Sequence, residues 1–328
     1  MQIRVLTKAD VLRYVSMPAA IDAVQQAYAS IDRGTTDVPL RIDVAQSAHQ
    51  SHSFFMPAIV DGQSLGMKIV SVFPQNGPNH GLPTIHAIVL LLDAGTGVPI
   101  ALMDGTELTI LRTGAASGVG TRLLAREEST HLVVIGAGAQ AAGQVRAVCA
   151  VRPITTVTIV NRSLDRATAL TASLAREFPH TTLSATTDRP RALATADIVC
   201  LATSSQTPVF ADSEIRPGTH INGIGSYTHT MIEADPLTLG RSYVAVDQYA
   251  PAWSEAGELI AARDQGILDP STVVQIGAIA NGTAPGRRDD QQITYFKSVG
   301  NAAQDVAVAN IAYQSALQNN VGQDVSLI

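Results

Sequence analysis

Between Met17 and Gly34 the chain reads "MPAAIDAVQQAYASIDRG". Ile21, Val24, Tyr28 and Ile31 recur at three- and four-residue spacing, so the segment predicts an amphipathic helix that stops at Gly34. The pattern then changes. "PLRIDVA", "SHSFFMPAIV", "SLGMKIVSVF", "TIHAIVLLLD" and "PIALMDG" are short β-like runs, and "DGQS", "PQNGPNHGLP" and "DAGTGVP" separate them with turn chemistry. No βαβ alternation precedes residue 105, so this region predicts a largely antiparallel meander.

"TELTILRTGAASGVGTRLLAREE" returns to a helical pattern, and from there strands and helices alternate. "HLVVIGAG" reads as a strand and "AQAAGQVRAVCAV" as a helix; "TTVTIVNRS" and "LDRATALTASLAREF" repeat the pair. "TTLSATT", "ALATADIVCLAT", "THINGIG" and "SYVAVDQ" continue the rhythm, which predicts a parallel sheet with helices on its faces. "TYFKSVGNAAQDVAVANIAYQSALQ" reads as a long helix after a short loop. The expected fold class is α/β: a Rossmann-type doubly wound parallel sheet plus a β-rich domain.

Composition narrows the function classes. Of 328 residues, 46% are hydrophobic and only 15% charged, which suggests much buried surface, a subunit interface included. A net charge of −6 gives no basic footprint for nucleic acid. No apolar run is long enough to span a membrane, and the polar N-terminus "MQIRVLTKADVLRYVSM" does not read as a secretory signal, so a cytoplasmic protein is expected. Cys149 and Cys200 lie far apart in apolar surroundings and read as core residues in a reducing compartment. His49 and His52 read as loop residues, and no metal site is expected.

The strongest local signal is "LVVIGAGAQAAGQV", in which Gly136, Gly138 and Ala141 fit G-x-G-x-x-A between a strand and a helix. The first glycine allows a tight turn and the second lets backbone approach a pyrophosphate. The small third residue lets helix and strand pack closely, and the helix N-terminus offers N–H donors. A tight βα turn without a ligand is the bland reading. The next strand ends in Asn161, Arg162 and Ser163, where an NAD-specific site often has an acid for the ribose 2′-hydroxyl. Arg162 and Ser163 suit a 2′-phosphate, so NADP(H) is favoured and NAD(H) kept as the alternative. Thr203 and Ser204 follow another strand, as cofactor contacts or as helix N-caps.

Three cations interrupt apolar stretches: Arg41 in "VPLRIDVA", Lys68 in "LGMKIVSVF" and Arg112 in "LTILRTGAAS". Such a cation either faces solvent or holds an anion. Arg112, followed by Thr113, could reach a cofactor phosphate or a substrate carboxylate. The Gly/Pro-rich loop "FPQNGPNHGLPT" ends in Thr84, a candidate cofactor contact.

Taken together, "FMPA", "LGMKIVSVFPQN", "GLPT", "LLLDAGTGVPIALMDGTELTILRTGAASGVG", "VIGAGAQAAGQV", "VNRSLDRA", "ADIVCLATSS", "INGIGSY" and "FKSVGNAAQDVAVA" resemble the ornithine cyclodeaminase/mu-crystallin family over nearly the whole chain. The resemblance implies a substrate-binding and dimerisation domain, placed at residues 1–118 with 304–328, and a dinucleotide-binding domain at 119–303. It implies a homodimer built on the β-rich domains, which join into a shared barrel, with the active site in the cleft between domains. It implies that Arg41, Lys68 and Arg112 take a substrate carboxylate. Thr84, Arg112, Ala139, Gln140, Thr203 and Ser298 would lie near the cofactor, and Val299 beside the substrate. Thr113, Ser204 and Gly225 complete the expected cofactor set, and Tyr227 the substrate set. Lys68 and Arg112 are the expected catalytic pair, Lys68 also as proton donor to an imine nitrogen.

One departure decides between family activities. Ornithine cyclodeaminases carry an Asp in the segment equivalent to "INGIGSYTHT"; Tyr227 stands there, and no acid follows until Glu233. The form here resembles the cyclic-imine reductases of the family. The expected activity is NADPH-dependent reduction of Δ1-pyrroline-2-carboxylate or Δ1-piperideine-2-carboxylate to L-proline or L-pipecolate, hydride passing to the imine carbon. An alanine-type or N-alkyl amino acid dehydrogenase, an ornithine cyclodeaminase and a mu-crystallin-like binding protein are the rivals.

Overall fold

The computed structural model describes residues 2–327. The chain divides into two compact units, Met1–Arg112 with Asn301–Ile328, and Thr113–Gly300. The first boundary falls inside a helix, earlier than the 118/119 boundary expected from the sequence but in the same helix.

The first unit contains β1 (Gln2–Leu6), α1 (Lys8–Tyr14), α2 (Met17–Asp32), β2 (Ile42–Gln46), β3 (Ser51–Val60) and β4 (Ser64–Val72). It continues with α3 (Asn76–His80), β5 (Ile85–Asp93), β6 (Pro99–Asp104) and the first turns of α4 (Gly105–Leu124). The predicted helix is α2. Ser16 caps it by accepting the Ala19 N–H, Pro18 starts it, and Ile21, Val24 and Tyr28 are buried. Gly34 follows with φ +71°, a left-handed stop that suits glycine.

The second unit alternates as predicted. It holds β7 (His131–Ile135), α5 (Ala141–Val151), β8 (Thr156–Val160), α6 (Leu164–Leu174), β9 (Thr182–Thr186), α7 (Arg189–Leu193) and β10 (Ile198–Leu201). Then come β11 (His220–Gly223), α8 (Pro236–Gly240), β12 (Ser242–Val246), α9 (Tyr249–Glu255) and α10 (Gly257–Asp264). β13 (Val274–Gln275), α11 (Ile276–Ala280) and β14 (Ile293–Lys297) complete it. The chain closes back in the first unit with α12 (Ala302–Asn319) and β15 (Gln323–Ser326).

Two expectations are corrected. "TYFK" is the fully buried strand β14 rather than the start of the last helix; α12 begins at Ala302, where Asn301 caps it by accepting the Gln304 N–H. A central parallel strand is buried on both faces and lacks the polar alternation that marks an exposed one. His52 is no loop residue: it lies on β3, and its Nδ1 is 2.9 Å from the Asp43 carboxylate. The terminal strands β1 and β15 were also missed; β1 pairs antiparallel with β15 and parallel with β6.

The sheet of the first unit has the order β15-β1-β6-β5-β4-β3-β2. Met56, Lys68, Val89 and Met103 stand opposite one another across four strands and share one face. α12 packs on β3, β4 and β5. One residue along, Ile42, Phe55, Ile69 and Ile88 form a row on the other face. Ile42 and Ile88 in that row are 60% and 43% exposed, although strand residues of this kind ordinarily find cover.

The sheet of the second unit has the order β13-β12-β14-β11-β10-β7-β8-β9, parallel throughout. From β7 the chain moves outward through β8 and β9, and β10 then starts on the other side of β7. The order therefore reverses between β7 and β10. Such a reversal leaves a crevice outside the carboxyl ends of the two strands, where ligands of this architecture bind.

Candidate active site

In the first unit the structure brings Lys68 and Arg112 together. Lys68 is buried on β4, and Arg112 is nearly buried on α4. Both meet the carboxylate of Asp305 on α12: Lys68 Nζ is 2.8 Å from Oδ2, and Arg112 Nε donates to Oδ1 at 3.0 Å. Arg112 also donates to Gln304 Oε1 at 2.7 Å, and Gln304 Nε2 donates to the Tyr28 hydroxyl at 2.7 Å. Arg41 is half-buried, its guanidinium 5.4 Å from the centre of the Phe54 ring. An internal acid, Asp305, is the partner of buried Lys68.

Two buried or nearly buried cations thus share one carboxylate, so the group carries an excess of positive charge when Lys68 is protonated. Burial and the neighbouring Arg112 charge lower the Lys68 pKa to about 7, against the opposing pull of Asp305. An amine that titrates near neutrality can donate and regain a proton at physiological pH. Asp305, Gln304 and the Tyr28 hydroxyl were missed as site residues. Asp305 was detectable: it is a lone acid in the apolar run "AAQDVAVA", and the reasoning applied to the three cations holds for an acid too.

In the second unit the expected cofactor residues gather at the carboxyl ends of neighbouring parallel strands. Gly136, Gly138, Ala139 and Gln140 follow β7, Thr203 and Ser204 follow β10, Gly225 and Tyr227 follow β11, and Ser298 and Val299 follow β14. Asn161, Arg162 and Ser163 follow β8. Thr113 is buried on α4; Thr84, in the first unit, lies exposed just before β5.

The Gly136 turn fits a dinucleotide. Gly136 has φ +112°, and a Cβ there would lie 2.4 Å from the Ala202 carbonyl oxygen. A Cβ at Gly138 would meet nothing within 4 Å, leaving exposed backbone open to a ligand. Gln140 Oε1 is buried without a hydrogen-bond partner, one more polar atom that a ligand could satisfy. At the end of β8 Asn161 Nδ2 donates to the Ser163 carbonyl, Ser163 caps α6, and Arg162 is exposed, with no acid among the three.

The capping alternative for Thr203 is corrected: no helix starts there, and its hydroxyl donates to Glu233 at 2.8 Å. Ser298 Oγ donates to buried Asp247 at 2.7 Å, and Val299 belongs to the hydrophobic core of the unit. Glu233 is fully buried and occupied by four donors, from Thr203, Gly225 and Ser226. It offers no free carboxylate to replace the acid that Tyr227 displaces. Among the described residues no group of three or more His, Cys, Asp or Glu could hold a metal ion, and no helix is long and apolar enough to cross a membrane.

The two glycines of the turn should separate folding from binding. Gly136→Ala should lower the thermal midpoint of the protein, because of the clash with Ala202. Gly138→Ala should melt like the wild type alone but lose the stabilisation that added NADPH or NADH confers. A Gly138→Ala protein that keeps that stabilisation would remove this turn as the pyrophosphate cradle.

The geometry has counterparts in known proteins. The sequence profile of the ornithine cyclodeaminase/mu-crystallin family matches residues 1–320. A Δ1-pyrroline-2-carboxylate reductase of Bacillus cereus is 34% identical over 95% of this chain and 96% of its own. The structure of Thermococcus litoralis Δ1-pyrroline-2-carboxylate reductase in complex with NADH and L-proline superposes with a TM-score of 0.94 at 34% identity, covering 98% of this chain and 100% of that one. An archaeal alanine dehydrogenase dimer with bound NAD gives a TM-score of 0.92 at 32% identity, with 100% of both chains covered. Full-length similarity at this identity carries both units and their order, and the chain belongs to the ornithine cyclodeaminase/mu-crystallin family.

Proposed function

We propose that this protein is an NADPH-dependent imine reductase that converts Δ1-pyrroline-2-carboxylate, or its six-membered homologue Δ1-piperideine-2-carboxylate, to L-proline or L-pipecolate. The observation that carries the reading is the buried pair of cations on one carboxylate, Lys68 and Arg112 around Asp305. The positive charge left over favours a small anion, and the α-carboxylate of an imino acid supplies it. Arg112 offers a planar fork for two-point pairing, and Arg41 adds a third cation.

The nicotinamide, when bound, supplies the hydride. In the second unit Gly136, Gly138, Ala139, Gln140, Thr203, Ser204, Gly225 and Ser298 would hold the cofactor, and the family resemblance adds Thr84, Arg112 and Thr113 to that set. Lys68 gives its proton to the imine nitrogen, which gains basicity as the carbon is reduced. Val299 and Tyr227 border the substrate. Fixing the carboxylate orients the C=N bond, which removes much of the entropic barrier. Arg162 and Ser163 favour a 2′-phosphate, while the solved relatives carry NADH and NAD. Tyr227 in place of an acid, and Glu233 fully occupied by N–H and O–H donors, argue against cyclodeamination. The alanine dehydrogenase relative supports a second reading, in which the imine forms from pyruvate and ammonia.

The apolar row Ile42, Phe55, Ile69 and Ile88 is the surface through which two copies associate, with the protein working in the cytoplasm. Covering exposed β-branched side chains with an identical sheet face gives a self-complementary interface.

Absorbance at 340 nm should fall fast when NADPH meets either cyclic imine, and more slowly with NADH. Loss with NADH alone would keep the reaction and sink the reading of Arg162. Turnover only with pyruvate and ammonia would transfer the assignment to the second reading, and no turnover with any of these would end both.

The pH profile should follow Lys68. Its protonated form is the donor, so kcat/KM should be level at low pH and fall through an apparent pKa near the free-enzyme value of about 7. The bound carboxylate favours the charged amine, so the same limb in kcat should lie at higher pH. Lys68→Met should lower kcat by about 10²–10⁴-fold and abolish the limb; a variant that keeps the limb would exclude Lys68 as the donor.

Sedimentation should show a species of twice the chain mass, and Ile88→Glu should shift it to a monomer. A wild-type monomer at micromolar concentration would remove the interface assignment.

A further inference from the structure

One buried carboxylate of the second unit has no part in the reaction above. Glu233 lies on the segment after β11 and is fully buried. Its Oε1 accepts the Thr203 backbone N–H at 2.7 Å and the Thr203 hydroxyl at 2.8 Å. Its Oε2 accepts the N–H groups of Gly225 at 2.7 Å and Ser226 at 3.0 Å. Thr203 follows β10 and Gly225 follows β11, which are neighbouring parallel strands. Strand-end N–H groups have no ladder partner, and a buried one is costly unless something accepts it. A single carboxylate answers four donors from two loops.

The loops approach each other closely. A Cβ at Gly225 would lie 2.2 Å from the Thr203 carbonyl oxygen and 2.5 Å from Glu233 Oε1, so only glycine allows the arrangement. A second buried acid reinforces it. Ser226 donates its hydroxyl to Glu258, which pairs with buried Lys297 at 3.0 Å and accepts the Tyr295 hydroxyl at 3.0 Å. Lys297 also donates to the Ser226 carbonyl at 2.7 Å. The backbone of residues 225 and 226 is thereby pinned from both sides.

We infer that Glu233 is a positioning residue for the cofactor: it locks the Thr203 and Gly225–Ser226 loops in the shape that receives the dinucleotide before the dinucleotide arrives. This rests on the nucleotide-binding reading of the second unit. The physical gain is preorganisation. Charge-assisted bonds to four donors hold both loops, so binding does not bear the entropy of ordering them. The Thr203 hydroxyl is turned inward, which leaves its lone pairs and the loop backbone, not its proton, for a ligand. Glu233 itself touches no ligand.

The test uses the full-length protein, titrated calorimetrically with NADPH and with NADH, alongside its apo thermal midpoint. In Glu233→Gln the amide nitrogen replaces one acceptor and faces N–H groups, so one loop is released. Cofactor Kd should rise about tenfold or more. The variant's kcat at saturating cofactor should stay within a few-fold of wild type, since the reacting groups are untouched. Glu233→Asp keeps the charge but shortens the reach; its Kd should lie between the two, and it carries the test if the Gln variant does not fold. A purely structural role would lower the melting temperature of both variants and leave cofactor Kd at the wild-type value, and that outcome overturns the inference. Wild-type protein that binds neither cofactor would remove the nucleotide reading, and this inference with it; wild-type binding with unchanged variants removes the inference alone.

Discussion

The first unit is organised around the burial of Asp305. A carboxylate with no access to water needs cations or hydrogen-bond donors around it, and Lys68 and Arg112 reach it from a strand and from a different helix. Three elements distant in sequence are therefore tied at one point. Removing one partner of such a group typically costs about 3–5 kcal/mol, because the others stay buried and unbalanced. The contact also needs α12 to lie close against β4. Gly66 permits this: a Cβ there would lie 2.7 Å from the Leu90 carbonyl oxygen and 3.2 Å from a methyl of Val306, next to Asp305. The alanine-rich start of α12 serves the same approach.

That arrangement links stability to chemistry. Because two cations share one acid, the group is short of negative charge, and Lys68 is held near neutrality by burial and by Arg112. An amine in water would stay charged at pH 7, whereas one that titrates near neutrality exists in both forms there. The alternation of β4 matters equally. Lys68 faces the helices because strand side chains alternate, while Ile69 takes the opposite face with Phe55 and Ile88. One strand thus contributes to a polar site on one side and an apolar surface on the other.

The second unit repeats the principle with acids at the strand ends. Glu233 and Asp247 are buried and accept from loops that follow the strands, and buried Glu258 on α10 accepts from Ser226 of one such loop and from Tyr295 and Lys297 of β14. A parallel sheet turns all its carboxyl ends to one edge, so loops far apart in sequence meet there. Their backbone N–H groups need acceptors, and buried carboxylates supply them. Small residues at Gly136 and Gly225 make the close loop approaches feasible.

The sequence by itself determined the order of most elements, the G-x-G-x-x-A turn and the three cations, and its family resemblance marked Tyr227 where cyclodeaminases carry an acid. The first three rest on local signals: hydrophobic period, glycine at a strand-to-helix turn, and charge in an apolar run. It did not show β14, whose burial on both faces erases the polar alternation that marks a strand. Nor did it show the parallel pairing of β1 with β6, which brings residues a hundred positions apart together. Only the tertiary structure decided what balances each charge. Lys68 could have faced solvent or an anion; its partner is Asp305, more than two hundred residues away. In the sequence Glu233 is only the next acid after Tyr227, yet its carboxylate folds back onto two loops. Electrostatic pairing depends on distance in space and on exclusion of water, and neither is written in the spacing of residues along a chain.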